Sequence, residues 1–418
     1  MNSKKFLAFT MAAAMTLSLA ACGGNGGGAG SSGGSSASGS TGDTSTGGVT
    51  AGTTVKEVVD PTGAAFKIGA TGPLTGDASI YGLAAYRGAQ IAVNEINSEG
   101  GDIQFELNYQ DDQNVPETAV NAFNNLKDWG MQISLGSVTT QPGIATSQYN
   151  FEDRIFALTP SASSPDVIAN KDNVFQMCFS DPNQGLASAQ YISEQNLGEN
   201  VYIIWKNDDV YSTGIKDQFV AEAEELGLNI VGNSTFTTDT SNDFTVQLTD
   251  AQQKGADLVF LPMYYQPASL ILTQADSMGY EPKFFGVDGM DGILTMEGFD
   301  ASLAEGVMLL TPFNADATDD ATVAFVTEYE SLYGETPNQF AADAYDCIYA
   351  LKLALETAGC TPDMTAEAIN DALIAAFPTI TLTGLTGDGE GITWDSTGAV
   401  SKAPKGMVIE NGAYVGMD

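Results

Sequence analysis

An α/β protein of two doubly wound parallel-sheet lobes is the expectation for this chain of 418 residues. Three observations lead there. Short apolar strand-like runs alternate with amphipathic helical stretches from Phe66 onward, the alternation begins afresh near Val201, and the body of about 360 residues is too long for one typical core. Phe66–Ala70 reads as a strand. Ile80–Asn97 reads as a helix, because Leu83, Tyr86, Ala89, Val93 and Ile96 recur near a 3.6-residue spacing. Gly100-Gly101 ends that helix, and Ile103–Tyr109 alternates as the next strand. Pro116 suits the first turn of a helix running to Trp129. Ile133–Leu135, Ile155–Leu158 and Val174–Met177 read as further strands, each expected to follow a helix. The second series runs strand Val201–Trp205, helix Gly214–Leu226, strand Ile230–Phe236, helix Phe244–Lys254, strand Leu258–Leu261, helix Ser269–Met278 and a short strand at Phe284-Phe285. After Leu310, helices are expected over Thr322–Tyr333, Gln339–Thr357 and Ala366–Phe377. Gly391–Val415, with Trp394, reads as short strands closing a sheet. No repeat of solenoid period is present.

Composition removes several classes of function. A formal charge of −38 argues against nucleic acid or anionic lipid as the main partner, since both need a basic face. The absence of histidine rules out Ser-His-Asp and Cys-His catalysis and argues against a typical zinc site. No metal and no cofactor is expected. Cys347 and Cys360 lie along one helical stretch, roughly 20 Å apart at the helical rise and beyond disulfide reach. With Cys178 they read as small buried hydrophobes. The acidic pairs Asp111-Asp112 and Asp208-Asp209 leave a glycosidase reading open. Asp288-Gly-Met-Asp291-Gly292 and Asp388-Gly-Glu390 do not fit the EF-hand ligand pattern.

Ligands of doubly wound sheets bind beyond the carboxyl ends of the strands. Those loops are 71–82, 136–142, 159–165, 207–214, 262–267 and 286–292, rich in Ser, Thr, Tyr and Asp and nearly without basic groups. Their ordered motifs are Ile68-Gly-Ala-Thr-Gly-Pro-Leu-Thr-Gly76 with Tyr81-Gly82, Gly88-Ala-Gln-Ile-Ala-Val-Asn-Glu-Ile-Asn97, Asp111-Asp112, Thr140-Gln141-Pro142, Thr159-Pro-Ser-Ala-Ser-Ser-Pro165 and Tyr211-Ser-Thr-Gly214. This series closely resembles the periplasmic binding proteins of branched-chain amino-acid ABC transporters, from about Phe66 to Trp394. The resemblance implies the type I architecture of that family, with hinge crossings near Ser180, Pro312 and Gly384–Gly391. The lobes would then be 64–182 plus 312–385, and 183–311 plus 386–418. It also implies a non-enzymatic receptor that closes on a free amino acid and passes it to a membrane permease.

Residue by residue, the resemblance places Ser137 at the ligand carboxylate, where a hydroxyl and helix-start amides suit an anion. Alone, Ser137 reads as a helix N-cap. Ser161 and Ser163 match contacts to the ligand's backbone atoms, although alone they read as a turn before Pro165. Asp288 matches the carboxylate that pairs with the ligand ammonium, where the family has glutamate; alone it is a turn aspartate between glycines. Tyr81, Tyr211 and Tyr264 match aromatic pocket walls, with Tyr86 and Tyr265 as neighbours open to confusion. Phe340 matches a hydrophobic wall, and plain core is the competing reading. The family's small disulfide near the cleft is missing, because Gly136 precedes Ser137 and no cysteine lies between Gly101 and Met177. The same scaffold binding a small amide, urea or aromatic acid, or serving as a ligand sensor, is the alternative.

Lys4 and Lys5, an apolar run from Phe6 to Leu19 and Leu19-Ala20-Ala21-Cys22 describe a secretory signal over residues 1–21, too short to span a membrane. The small residues before Cys22 resemble a bacterial lipobox, which implies lipidation of Cys22. Residues 22–60 are mostly Gly, Ser, Thr and Ala and read as a flexible tether with a span of roughly 35 Å. The expected location is therefore the outer face of the cell membrane, held by a lipid anchor, with a monomeric body.

Overall fold

The computed structural model describes residues 55–387 and 389–417. The expected signal peptide, Cys22 and the tether up to residue 54 lie outside the described residues, as does Asp388. Five parallel strands form the first sheet: β1 (Phe66–Gly72), β2 (Phe105–Asp111), β3 (Ile133–Leu135), β4 (Phe156–Thr159) and β5 (Val174–Gln176). Their order is β2-β1-β3-β4-β5. The second sheet contains β6 (Val201–Lys206), β7 (Ile230–Phe236), β8 (Leu258–Leu261), β9 (Lys283–Gly286), β10 (Met308–Thr311), β11 (Lys405–Glu410) and β12 (Ala413–Gly416) in the order β12-β11-β10-β9-β8-β6-β7. Its first five strands repeat the winding of the first sheet, so each lobe reverses direction once, between β1 and β3 and between β6 and β8. Such reversal points open a crevice for ligands. The strands β11 and β12 join as an antiparallel hairpin on β10.

Central strands such as β3, β4 and β8 are buried along their whole length, as expected where helices cover both faces of a parallel sheet. The first lobe carries α1 (Ser79–Glu99), α2 (Pro116–Trp129) and α3 (Thr140–Asp153). The second carries α4 (Asp181–Glu194), α5 (Val210–Leu226), α6 (Thr245–Gln253) and α7 (Tyr265–Ser277). The chain then returns to the first lobe with α8 (Asp320–Tyr333), α9 (Gln339–Ala358) and α10 (Ala366–Ala376). Helices α1 and α9 touch backbone to backbone at Gly88, where an added Cβ would lie 1.9 Å from the Ala341 carbonyl oxygen. Among the described residues no helix is long and apolar enough to cross a membrane.

Several expectations change. Strand β5 follows only a 3-10 turn at Pro165–Val167, not a helix. Helix α4 has no counterpart in the sequence reading, because its buried face is Gln184, Gly185, Ser188, Ala189 and Ile192, largely small or polar. That composition permits close packing on α5: a Cβ at Gly185 would meet the Ile215 carbonyl oxygen at 2.4 Å. Strand β10 was also not anticipated. Helices α5 and α7 begin four residues before the expected Gly214 and Ser269, which puts Tyr211 and Tyr264 at helix starts.

The tether ends sooner than residue 60. Val55 is buried with Leu74 and Tyr86, and Asn94 of α1 accepts the Val59 amide at 2.9 Å. Asn97 donates to the Val59 carbonyl at 2.8 Å. Side-chain amides thus hold a backbone that would otherwise stay solvated.

The third crossing also moves. Trp394 donates its indole N–H to the Gln176 carbonyl at 2.8 Å, and the Gln176 amide donates to Gly398 at 2.9 Å. Residues 392–398 therefore remain on the first lobe's β5, and the passage to the second sheet lies between Val400 and Lys405. A large indole needs both an apolar bed and a partner for its N–H, and β5 with Phe377 supplies them. At this crossing Lys402 forms a fully buried ion pair with Asp343 of α9.

Candidate functional site

The reversal points of both sheets face one narrow cavity of about 10 Å³, its two walls almost in contact. Such a space holds about one water, so the lobes must part to admit any larger molecule. Tyr81, Val138, Thr139, Thr140, Ser161 and Phe340 line it from the first lobe. Tyr211, Tyr264, Asp288 and Gly289 line it from the second. A more open groove of about 410 Å³ runs past Arg87, Tyr265 and Glu335 at the cleft edge.

Four rings make the apolar wall. Tyr81 lies 4.4 Å from Phe340 and 5.2 Å from Tyr264, and Tyr264 lies 4.9 Å from Tyr211, measured between ring centroids. The two neighbours open to confusion stand elsewhere. Tyr86 stacks on Tyr109 inside the first lobe, and Tyr265 packs edge-on behind Tyr81.

Asp288 opens a 3-10 turn, Asp288–Met290, directly after β9, and is 3% exposed. The Tyr211 hydroxyl donates to its carboxylate, and the Gly289 amide donates to that same hydroxyl at 3.0 Å. The Asp288 amide is held by Gln184 at 3.1 Å. Burial pushes the Asp288 carboxyl up to about 7, against the hydrogen bonds from Tyr211 and Gln184 that favour the anion. A cation beside it would relieve that strain.

At the opposite wall, α3 starts at Thr140 with Thr139 as its N-cap and no side-chain cap. The hydroxyls of Thr139 and Thr140 are buried without a hydrogen-bond partner among the described residues. Unsatisfied hydroxyls and first-turn amides at a helix N-terminus suit an anionic group. The Thr140 amide also reaches the Tyr264 hydroxyl from the other lobe.

Two expected contacts stand one layer behind the cavity. The Ser137 hydroxyl lies 2.7 Å from Thr71 Oγ1 and 3.3 Å from Thr146 Oγ1, inside the first lobe. Its carbonyl accepts from Thr159 at 2.7 Å. The Ser163 hydroxyl donates to Asp181 at 2.7 Å. Thr139, Thr140, Val138 and Gly289 also line the cavity, although the sequence assigns none of them a ligand contact and Thr140 appears there only as the start of a loop motif. For the threonines the available signal was a Thr-Thr pair at a strand end just before a helix.

No cluster of three or more His, Cys, Asp or Glu suited to a metal ion occurs among the described residues. Cys178, Cys347 and Cys360 are buried free thiols. Several buried carboxyls besides Asp288 are pushed up chiefly by burial: Asp112 to about 7, Asp291 and Asp343 to about 6. A raised carboxyl pKa means that the folded chain binds protons more tightly than the unfolded one. Its stabilising contribution is present below pH ~4 and is lost as pH rises through 6 to 7. The ligand-free protein is therefore expected to melt at a higher temperature at pH 5 than at pH 8. Calorimetry at the two pH values checks this, and a lower melting temperature at pH 5 contradicts it.

The periplasmic binding protein family matches residues 65–402. The chain belongs to it. Among curated relatives, the Leu/Ile/Val-binding protein homolog 3 of Brucella melitensis is 27% identical over 357 residues, spanning 84% of this chain and 93% of that protein. Among solved structures, the branched-chain amino acid transporter substrate-binding protein LivJ of Streptococcus pneumoniae, in complex with isoleucine, superposes with a TM-score of 0.75. It is 27% identical and covers 84% of this chain and 97% of its own. The leucine-binding protein LivK of Thermotoga maritima gives a TM-score of 0.74 at 25% identity, covering 84% of this chain and 98% of its own. The chain is thus a binding protein of the periplasmic type.

Proposed function

We propose that this protein is the receptor of an ABC importer for free amino acids of the branched-chain type, gripping one molecule at both ends between its lobes. The observation that carries this reading is the pairing, in one enclosed cavity, of the buried Asp288 carboxylate on one lobe with the α3 N-terminus on the other. An α-amino acid offers an ammonium to the first and a carboxylate to the second. The rings of Tyr81, Tyr264 and Phe340 offer apolar faces to its side chain once the lobes part to admit it. Ser161 supplies a further hydroxyl at the carboxylate end, while Ser137 and Ser163 support the wall from behind. The Leu/Ile/Val specificity in the relatives' names and the isoleucine bound to LivJ point the same way.

Aromatic acids and small amides would leave Asp288 buried without a cation, a mismatch that sites built around polar groups reject strongly. The receptor takes its ligand unchanged and hands it to the permease, with closure driven by contacts to both lobes. One chain supplies both halves of the site, so a monomer suffices. Lipidation at Cys22 would keep the body near the permease.

A thermal-shift screen tests the reading. Leucine, isoleucine and valine at millimolar concentration are expected to raise the melting temperature by several degrees, since stabilisation grows as the logarithm of ligand over Kd. Benzoate and acetamide are expected to leave it unchanged. Stabilisation by those two and by no amino acid would contradict the assignment.

A further inference from the structure

The turn that carries Asp288 holds the opposite lobe by bonds that involve no ligand atom. Tyr81, on α1 of the first lobe, donates its hydroxyl proton to the Gly289 carbonyl and accepts the Tyr265 amide at 3.2 Å. Gln339 starts α9, also on the first lobe. Its side-chain amide donates to the Asp288 carbonyl at 2.9 Å, and its backbone amide donates to the Asp291 carboxylate at 2.9 Å. Both residues are 2% exposed. A neighbouring contact fixes the fit: Ile80 Cγ2 lies 2.6 Å from where a Cβ would stand on Gly292, whose φ of +99° already favours glycine.

From this geometry we infer that the turn Asp288–Gly292 is a latch, and that Tyr81 and Gln339 are positioning residues for ligand capture. The latch seats the Asp288 carboxylate against the first lobe through the turn's own backbone. Closing the lobes and presenting the carboxylate to the ligand are then one event. Three hydrogen bonds on a single short turn make the closed arrangement favourable apart from what the ligand adds, which raises the closed fraction. Losing part of the latch lowers that fraction and lets a bound ligand escape faster.

The inference rests on the amino-acid reading of the cavity, and two variants of the whole protein separate the two claims. Tyr81→Phe keeps the ring in the wall and deletes the hydroxyl. Gln339→Leu keeps the bulk, does not touch the cavity and removes the bond to Asp288. Each is expected to weaken leucine binding about tenfold by calorimetry, mostly through faster dissociation in stopped flow. Each is also expected to enlarge the ligand-free radius of gyration in small-angle scattering, with a melting temperature like that of the parent. Rescue should follow residue chemistry, with Gln339→Glu failing beside the buried carboxylates. Unchanged leucine affinity together with an unchanged radius overturns the latch and leaves the receptor reading standing. A larger radius in variants of a protein that binds no amino acid keeps the latch and removes the receptor reading. Should Gln339→Leu fail to fold, Tyr81→Phe decides alone by the same two readouts.

Discussion

Asp288→Ala is expected to weaken amino-acid binding by at least about 100-fold, because it deletes the buried partner of the ligand ammonium. The size of the effect follows from the surroundings. Among the cavity-lining residues Asp288 brings the one carboxyl group, and no lysine or arginine lines the wall with it. An ammonium stripped of water there has no second carboxylate to turn to. Asp288→Asn should lose nearly as much, which separates charge from shape. Tyr211→Phe should lose less, since it removes one donor to Asp288 and keeps the ring. The affinity should also depend on pH with a definite sign. Without a cation nearby the carboxyl sits at about 7, and an ammonium lowers it, so binding expels a proton below neutrality. Affinity should therefore fall as the solution is acidified from pH 8 to pH 5, by no more than about tenfold per unit. Titrations across that range check it. A pH-independent affinity in the parent, or an Asp288→Ala protein that binds normally, contradicts the role.

Lys402→Met is expected to cost about 3–5 kcal/mol of stability at pH 8, the usual penalty for stripping one partner from a buried ion pair. Lys402 lies where the chain crosses to the second sheet, and its partner Asp343 lies on α9 with both side chains 2% exposed. Beside them, Asp346 accepts the Leu385 amide at 2.9 Å and the Thr386 amide at 3.0 Å, pinning the segment leading to the crossing. Removing the ammonium leaves Asp343 and Asp346 facing each other without a cation. The penalty should shrink at pH 5, because burial already holds Asp343 at about 6 and a proton can replace the lost charge. Adding Asp343→Leu should recover most of the loss, since apolar groups of similar volume replace buried ion pairs with little penalty. Denaturant unfolding of the two variants measures both effects. A Lys402→Met protein as stable as the parent would show that the pair is not needed at the hinge.

The alternation of the two series was legible because β1, β3, β4, β6 and β8 are buried parallel strands whose apolar runs declare themselves. Helix α4 was not. Its packing on α5 needs small and polar residues, which erase the apolar period that reveals α1. The aromatic wall and Asp288 were reachable through the order of the loop motifs rather than through any one of them. Ser137 and Ser163 show the limit of that route: a residue's place in a motif does not tell which way its hydroxyl turns. Thr139 and Thr140 stood beside Ser137 in the sequence, yet only the path of β3 into α3 brings them to the cavity. The Lys402–Asp343 pair joins positions 59 residues apart, and nothing local in either segment announces it. The same holds for Val55, whose burial depends on a pocket assembled from Leu74 and Tyr86.

A crystal structure with isoleucine should show one molecule between the lobes, its ammonium within hydrogen-bond distance of Asp288 and its carboxylate at the Thr140 amide, with the side chain among Tyr81, Tyr264 and Phe340. Isoleucine bound in the reverse sense, or seated in the groove beside Arg87 and Glu335, would contradict that placement.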